Sequence, residues 1–357
     1  MSDNQRTTDR DERGTADGAW SVRHGDGRDF GPAPADVARA ADREEADAEG
    51  PAATCRRAAA VTLDRDADLG EVVLAILGEC IAHVAGNRRA ILTGHDPDGV
   101  HQMRVGVRRL RTALGLPGHL FASPDRQALA GELRWLTGAL APARCWDVFR
   151  ADQLPAAIEA LSGGTRARAI QRAVDILSET DAAEARAAVD SDRFVDLMST
   201  VGRWKAGPPW SGDVATGRPG RDIAIRILDK RHRQVGRLAA DADRRDVSEL
   251  HAARLRLKKL RYTAEFFASL CSKRGVEDRR YLAYVAAMAT VQSSLGRLNG
   301  ALGVATLLDP VAPYMDAKSG ACALGAIIGF HAGRAVELVD DARTHLAAFR
   351  HARPFWS

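Results

Sequence analysis

Two similar segments recur in the chain, 150 positions apart. The segment LHAARLRLKKLRY at 250–262 aligns without a gap with VHQMRVGVRRLRT at 100–112. In both segments apolar residues recur at intervals of three and four, which is the period of one face of an α-helix. A helical segment repeated at a fixed distance indicates a fold that is built from two similar helical units.

Each copy of the repeat carries a basic face next to an apolar face. At about 100° per residue, basic positions 101, 104, 108 and 111 fall within an arc of roughly 80°, and the apolar positions occupy an adjoining arc of roughly 60°. The basic residues of the two copies are His101, Arg104, Arg108, Arg109 and Arg111, followed by His251, Arg254, Lys258, Lys259 and Arg261. The apolar residues are Met103, Val107, Leu110 and Leu114, followed by Ala253, Leu257, Leu260 and Ala264. We expect the apolar residues to be buried, with Leu110 and Leu260 in the core.

The basic face of the first copy has no acidic residue with which to pair. A face that serves only solubility normally mixes Glu and Arg at i and i+4, whereas Val100–Leu114 contains no acid. Like charges on one face repel each other, and a bound anion would relieve that repulsion. A solvated amphipathic helix is the ordinary alternative, and both interpretations stay open at this point.

A second basic stripe precedes the second copy of the repeat. Its members are Arg226, Lys230, Arg233 and Arg237. They recur at i, i+4, i+7 and i+11 and therefore share one helical face. Asp229 dilutes the positive charge of this stripe. A functional face and a solvated face fit the pattern equally well. Arg88 is the candidate counterpart of the stripe in the first half.

The rest of the chain divides into a polar tail and a long helical region. Residues 1–62 have almost no large apolar side chains, which predicts a disordered tail. Apolar residues at helical spacing in 63–357 predict an all-α domain. Its first helical repeat covers about 65–205 and its second about 221–357, and the Gly- and Pro-rich stretch 206–220 is the predicted linker.

Helix-breaking residues give approximate helix limits in the first repeat. The pattern predicts one helix from about Leu69 to Leu92 and a second from Val100 that ends before Pro117. Ser123 with Pro124 predicts the start of a third helix, and a fourth follows Pro142. Further helices are predicted over about 165–204.

The charge distribution favours a polyanionic partner. The whole chain has a formal net charge of +4, with 51 basic and 47 acidic residues. Residues 1–60 hold 13 acids and 9 arginines, a net charge of −4, so the remaining 42 bases and 34 acids give +8. A basic folded region is typical of proteins that bind polyanions.

Cysteine usage and hydropathy predict a cytoplasmic protein without a membrane span. The five cysteines form no CxxC pair, so neither a zinc site nor a disulfide framework is indicated. The N-terminal sequence MSDNQRTTDRDERG has no apolar core of the kind that a secretory signal needs. The apolar run ACALGAIIGF is about half as long as a membrane-spanning helix.

Several segments together resemble the CHAD domain, the conserved-histidine α-helical domain. The two histidine-containing helices carry most of this resemblance. LRWLTGALAPARCWDV at 133–148 is similar to the family's segment in which a turn leads to an Arg-Asp-x-Asp-Val motif, and VQSSLGRLNG at 291–300 is similar to its second-half equivalent. The terminal RPFW at 353–356 is frequent in the family. Two positions depart from its pattern, because Cys145 and Gly300 stand where aspartates are expected.

The resemblance implies a fold and a ligand. It implies two four-helix bundles related by a pseudo-twofold axis, with basic helices lining a central groove that binds inorganic polyphosphate. It also implies a link to polyphosphate metabolism and targeting to polyphosphate or polyhydroxyalkanoate granules, with a granule surface or a polyphosphate-metabolising enzyme as a further partner. CHAD domains are often fused to CYTH domains, but the ExExK signature of that domain is absent here.

Other functions are weighed against polyphosphate binding. An enzyme is not expected, and no cofactor is predicted, because the sequence has neither a GxxxxGK[ST] loop nor a carboxylate pair near the basic helices. Nucleic-acid binding through the phosphate backbone is the main alternative, although aromatic residues are only 5% of the chain and Tyr262 alone adjoins a basic stripe. A metal site at His101 and His251 is the third possibility, beside a capping or inter-bundle hydrogen-bonding role for these histidines. His331 is predicted to be a packing residue.

Overall fold

A computed structural model of the chain describes residues 55–94, 98–116, 124–160, 164–206, 217–315 and 317–357. The predicted disordered tail lies outside these ranges up to residue 54, as do positions 207–216 of the predicted linker. Within the described ranges the chain is almost entirely helical and contains no β-strand. The predicted all-α class is therefore confirmed. The pseudo-twofold relation between two four-helix bundles stays a prediction.

The first half of the described chain forms helices α1 to α8. They are α1 Leu69–Ala85, α2 Arg88–Thr93, α3 Asp98–Leu114, α4 Pro124–Ala139, α5 Ala141–Val148, α6 Leu154–Ala160, α7 Thr165–Asp190 and α8 Asp192–Ala206. A short π-helix, Phe149–Gln153, joins α5 to α6. The first copy of the repeat is α3, which packs along α1.

The second half forms helices α9 to α13. They are α9 Gly220–Ala240, α10 Val247–Phe266, α11 Ala268–Cys271, α12 Arg279–Leu308 and α13 Ala317–Ala348. The second copy of the repeat is α10, which packs against α9 and α12, and α12 packs along α13. An Asp246 and Glu249 capping box starts α10 by satisfying two backbone N–H groups.

One predicted helix is divided in two in the structure. The helix expected from Leu69 to Leu92 ends at Ala85, and α2 begins at Arg88. Between them, the buried side chain of Asn87 donates hydrogen bonds to the carbonyl oxygens of His83 (2.7 Å) and Arg56 (2.9 Å). Because this amide holds the incoming N-terminal chain against the helix end, the break depends on a tertiary contact that periodicity does not reveal.

Part of the predicted tail packs on the helical region. The predicted tail extends to residue 62, but residues 55–62 lie against α1 and α11. Arg56 pairs with Glu79 at 3.3 Å, and the Ser269 hydroxyl donates to the carbonyl oxygen of Val61 at 2.9 Å. Val61 is buried. This short segment contributes only single side chains to the core. So few apolar residues do not distinguish it by composition from a disordered tail.

The two halves meet where their first helices begin. The backbone of Leu69 donates to the carbonyl oxygen of Arg218, and Gly220 donates to that of Ala67, each at 3.0 Å. A Cβ atom at Gly220 would lie 2.7 Å from a Val72 methyl carbon and 2.8 Å from the Ala67 oxygen. Glycine at this position therefore permits the close approach of α9 to α1.

The core is continuous between the two halves. All eight predicted apolar residues of α3 and α10 are buried, and Leu110 and Leu260 have no exposed surface. They belong to one cluster with residues from both halves. A smaller cluster joins Trp146 and Phe149 of the first half to Val304, Leu308 and Ile327 of the second. The predicted burial of the apolar faces is confirmed.

Two described helical stretches have the length and hydropathy of a membrane span. The first, Leu69–Thr93, covers α1 and α2 and has a mean hydropathy of 1.6 in its most apolar window, half of which is buried in the protein. The second, Gly320–His351, has a mean hydropathy of 1.4 with 28% of the window buried. Core helices of soluble proteins share these properties, so the observation is weak evidence for a span.

Candidate functional site

Helices α3 and α10 contact each other and bring part of each basic stripe together. Arg104 and Arg108 of α3 act electrostatically on Lys258 of α10, and Arg108 also acts on Arg254. We call this group the basic cluster and define it as His101, Arg104, Arg108, Arg144, Arg254 and Lys258. Its members are buried or half-buried, so their charges are less screened than charges on an open surface.

Lys258 has the most perturbed charge in the basic cluster. The pKa of its ammonium group is lowered from 10.5 to about 7, chiefly by burial and in addition by Arg254, Arg108, Arg104 and Arg261. The charges with the largest effect on Lys258 are therefore positive. A lysine in such surroundings is poised to gain a proton when an anion binds.

Arg104 is the cluster member that is hydrogen-bonded to α4. Its side chain donates a hydrogen bond to the Thr137 carbonyl oxygen of α4 at 3.0 Å, and only 9% of the residue is exposed. Burial, together with Arg108 and Arg144, lowers the pKa of its guanidinium to about 10. The guanidinium stays charged at neutral pH and has further N–H donors for a ligand.

His101 and Arg144 extend the cluster toward α5. Burial lowers the pKa of His101, and Arg144, Arg108 and Arg104 add to this effect while Asp98 opposes it. Arg144 was not among the predicted ligands of polyphosphate. The motif segment at 133–148 was the signal that could have identified it, because its arginine begins the family motif. Arg144 also lies 3.9 Å from Asp147, an ion pair within α5.

Arg109, a predicted ligand, lies outside the basic cluster. Its guanidinium pairs with Glu265 of α10 at 2.5 Å and lies 4.8 Å from the ring centre of Phe266. Only 2% of Arg109 is exposed. It points away from the cluster because it follows Arg108 by about 100° around the helix. Its role is to join the two repeat helices.

Arg261 shares the same carboxylate. Its Nε donates to Glu265 at 2.8 Å, and its Nη1 donates to the Gln292 side chain at 2.9 Å. Arg261 contributes to the electrostatics of Lys258, and two of its five N–H donors are used by these partners. Arg111 and Lys259 are exposed on α3 and α10.

The two histidines have different surroundings. Unlike His101, His251 is exposed, and its Nδ1 lies 2.9 Å from the Asn299 side-chain oxygen of α12. Asp246, and not His251, caps α10, so the capping interpretation is wrong for this histidine. Its contact with Asn299 connects two helices of the second half. His331 is 4% exposed and lies 3.2 Å from the Gln153 carbonyl oxygen, which confirms it as a packing residue.

The remaining predicted ligands lie elsewhere on the molecule. Arg88 pairs with Asp190 at 3.2 Å and holds α2 to the end of α7. The second basic stripe is exposed on α9, on the face opposite to its buried residues Ala224, Leu228, Val235 and Ala239; its members are Arg226, Lys230, Arg233 and Arg237. A different arginine of α9, Arg231, faces α10 and donates to the Lys259 carbonyl oxygen at 2.9 Å.

Cys145 and Tyr262 border the basic cluster. Cys145 is solvent-accessible, and partial burial of its thiol raises the pKa while Arg104, Arg108 and Arg144 act against that shift. Tyr262 is half-buried, and burial raises its pKa against the effects of Arg108 and Arg261. Neither residue was predicted as a ligand. Among the described residues there is no group of three His, Cys, Asp or Glu side chains that could hold a metal ion.

Comparisons with known proteins agree with this arrangement of helices. The family model of the CHAD domain matches residues 75–309. The crystal structure of the CHAD domain from the plant Ricinus communis is 31% identical, covers 84% of this chain and 99% of its own, and superposes with a TM-score of 0.70. PptA from Streptomyces chartreusis has a similar fold, with 18% identity, a TM-score of 0.56, and coverage of 80% of this chain and 99% of its own. No curated protein sequence matches the chain. With the family model matched across both repeat helices, the chain belongs to the CHAD domain family.

Proposed function

We propose that this CHAD domain is a binding module for inorganic polyphosphate, which it holds in the basic cluster between α3 and α10. The surroundings of Lys258 carry the proposal. Four arginines act on its ammonium group, and all of them oppose its protonation. A linear polyphosphate presents a regularly spaced row of negative charges, and binding it would relieve the repulsion among all of these groups.

The spacing of the cations suits an extended ligand. Arg104 and Arg108 are one helical turn apart, which places their Cα atoms about 6 Å from each other along the helix. Arg254 and Lys258 have the same spacing on α10. Planar guanidinium groups can each bind two phosphate oxygens, so arginines are the favoured residues for such a ligand.

Nucleic-acid binding is the alternative that uses the same charges. Proteins that bind single strands usually stack bases on exposed aromatic rings. Tyr262 is the aromatic residue next to the cluster, and it is half-buried. Half-buried cations are more accessible to polyphosphate, a thin chain without bases, than to a nucleic acid. A metal-binding domain, the third possibility, lacks support from the described residues, where His101 and His251 have no third ligand nearby.

Binding without catalysis is part of the proposal. Phosphoryl-transfer enzymes hold Mg²⁺ with carboxylates beside the phosphates. The charges with the largest effect on Lys258 belong to arginines, an arrangement suited to holding a polyanion. A module of this kind would act in the cytoplasm by attaching to a polyphosphate granule or to a polyphosphate-metabolising enzyme.

Competition between ligands tests the choice of polyanion. Labelled long-chain polyphosphate is bound to the full chain at physiological salt, and unlabelled polyphosphate, RNA and double-stranded DNA are added in amounts matched by phosphate. The proposal expects polyphosphate to compete at least tenfold better than either nucleic acid. Equal or better competition by RNA would establish the alternative.

The location of the site is tested by protection of a native thiol. Cys145 borders the basic cluster and Cys322 lies on α13, and both are exposed. Bound polyphosphate should slow the alkylation of Cys145 and leave that of Cys322 unchanged, as measured by mass spectrometry of the two peptides. Equal rates for Cys145 with and without saturating polyphosphate would contradict this location.

A further inference from the structure

The basic cluster holds several buried cations that repel one another. Arg104, Arg254 and Lys258 are mostly buried, and each is affected by neighbouring cations. The nearest acidic side chain on α3 is Asp98, at its first turn, where it pairs with Arg57 at 3.7 Å. On α5, Asp147 pairs with Arg144 at 3.9 Å. These two carboxylates stand beside six basic residues, so positive charge exceeds negative charge in the described part of the cluster.

A strongly acidic segment precedes the described chain. The sequence DREEADAE at 42–49 contains five carboxylates and one arginine, a net charge of −4. Glu49 lies six positions before Cys55, the first described residue. The sequence thus places a compact block of negative charge immediately before the folded region.

The described chain starts beside the helix that carries the cluster. Arg57 pairs with Asp98 at the start of α3, and the Ala59 carbonyl oxygen lies 3.5 Å from an Arg109 nitrogen of the same helix. Asp98 in turn acts electrostatically on His101, a member of the cluster. Arg57 and Ala59 therefore contact α3, while Arg56 pairs with Glu79 of α1.

The distance is short enough for the acidic segment to reach the cluster. Six extended residues span about 20 Å at about 3.3–3.6 Å per residue. The rise from Asp98 to Arg108 along α3 is about 15 Å. A tether of this length gives an effective concentration on the order of millimolar, enough for carboxylates to occupy cationic sites that they would bind only weakly as free peptides.

We infer that the acidic segment Asp42–Glu49 binds the basic cluster and competes with polyphosphate for it. The inference combines the negative charge of the segment, the contacts of the adjoining chain with α3, and the short distance between them. The inference rests on the proposed function of that cluster. Carboxylates offer fewer acceptor oxygens at lower charge density than a phosphate chain, so long polyphosphate displaces the segment while short or scarce polyanions do not. The segment would set the polyphosphate concentration above which the cluster binds polyphosphate.

A charge-matched pair of full-length variants tests the competition. The first variant neutralises the acidic segment by Asp42→Asn, Glu44→Gln, Glu45→Gln, Asp47→Asn and Glu49→Gln. The control removes the same number of charges earlier in the chain by Asp3→Asn, Asp9→Asn, Asp11→Asn, Glu12→Gln and Asp17→Asn. If the segment occupies most clusters in the free protein, the Kd for polyphosphate falls about three- to tenfold in the first variant. The control should keep the Kd of the unmodified chain. An unchanged Kd in the first variant, or an equal fall in both, overturns the inference.

A cross-link tests the contact without polyphosphate. An Ala46→Cys, Cys55→Ser variant is oxidised mildly, and its disulfides are mapped by mass spectrometry. The introduced thiol should pair with Cys145 in preference to Cys322, and long polyphosphate should suppress that pairing. Equal pairing with both cysteines overturns the contact. Because the cross-link forms without polyphosphate, its presence in a chain that fails to bind polyphosphate would reject the proposed function and leave the contact standing. Its absence in a chain that binds polyphosphate would reject only the inference.

Discussion

Arg109 of α3 and Glu265 of α10 form an ion pair of 2.5 Å that joins the two repeat helices, with the arginine side chain only 3% exposed. The neighbouring residue Arg108 faces the basic cluster instead and acts on Lys258. Two adjacent arginines in one sequence motif therefore have different roles, one in holding the halves together and one in the proposed binding of an anion.

Replacing Arg109 with alanine should destabilise the fold. Removing one partner of a buried ion pair leaves the other charge uncompensated, with a cost of about 3–5 kcal/mol. Arg261 still pairs with Glu265 at 2.8 Å, so we expect a loss near the lower end of that range. Urea unfolding of Arg109→Ala measures it, with Arg111→Ala on the exposed side of the same helix as the control. A loss no larger than that of the control would show that the pair contributes little.

Replacing Arg104 and Arg108 with alanine should weaken polyphosphate binding at least tenfold. Each lost charge-assisted contact contributes roughly 1.5–3 kcal/mol. The dependence of the affinity on salt should become shallower because fewer counterions are released on binding.

The control for this double variant is Arg226→Ala with Arg233→Ala, which removes the same charge from the exposed face of α9. Titrations at several salt concentrations compare the two. An unchanged affinity in the Arg104 and Arg108 variant would remove the proposed function, whereas an equal loss in both variants would point to diffuse attraction by net charge.

Polyphosphate affinity should fall as the pH rises above about 7. Lys258 has a pKa of about 7 in the free protein. An anion favours its charged form, so binding above that pH requires uptake of a proton, and the affinity decreases by up to about tenfold per pH unit for one proton taken up. Lys258→Arg keeps the charge at all these pH values and should remove the dependence between pH 7 and 9. Calorimetry in buffers of different ionisation enthalpy counts the proton. The same slope in the arginine variant would assign the effect to another group.

The stability of the free protein should change with pH through the same residue. The pKa of Lys258 is lowered from 10.5 in the unfolded chain to about 7 in the folded one, so the unfolded state binds the proton more tightly. The resulting destabilisation is complete below pH 7 and disappears as the pH rises toward 10.5. Lys258→Met should therefore raise Tm at pH 6.5 and raise it less at pH 9.5. A gain that does not depend on pH would indicate improved packing alone.

Truncating the buried leucines of the repeat helices should cost about 2–5 kcal/mol each. Leu110 and Leu260 have no exposed surface and lie in the same core. Leu255 of α10 is 46% exposed and provides a control within one helix. Chemical unfolding of Leu110→Ala, Leu260→Ala and Leu255→Ala compares them. A loss in Leu255→Ala as large as in Leu260→Ala would show that burial does not set the cost.

The helical class and the buried faces follow from the sequence alone. Apolar residues spaced at three and four form a common face on an α-helix, and burial of that face is the main source of stability. The eight apolar positions of the two repeat helices are accordingly in the core, as predicted. The cationic character of the same helices can also be read from the sequence, but not the burial of Arg104 and Arg109.

Which cations lie together depends on the tertiary structure. Helical periodicity gives the direction of a side chain but not the partner that meets it, so the ion pair of Arg109 with Glu265 could not be predicted from the sequence. The stripe on α9 shows the same limit, because its face turns out to be opposite to the helix's buried side. Arg144 joins the cluster from another helix. The lowered pKa of Lys258 is also tertiary in origin, because burial and the charges of two helices must combine at one point in space to produce it.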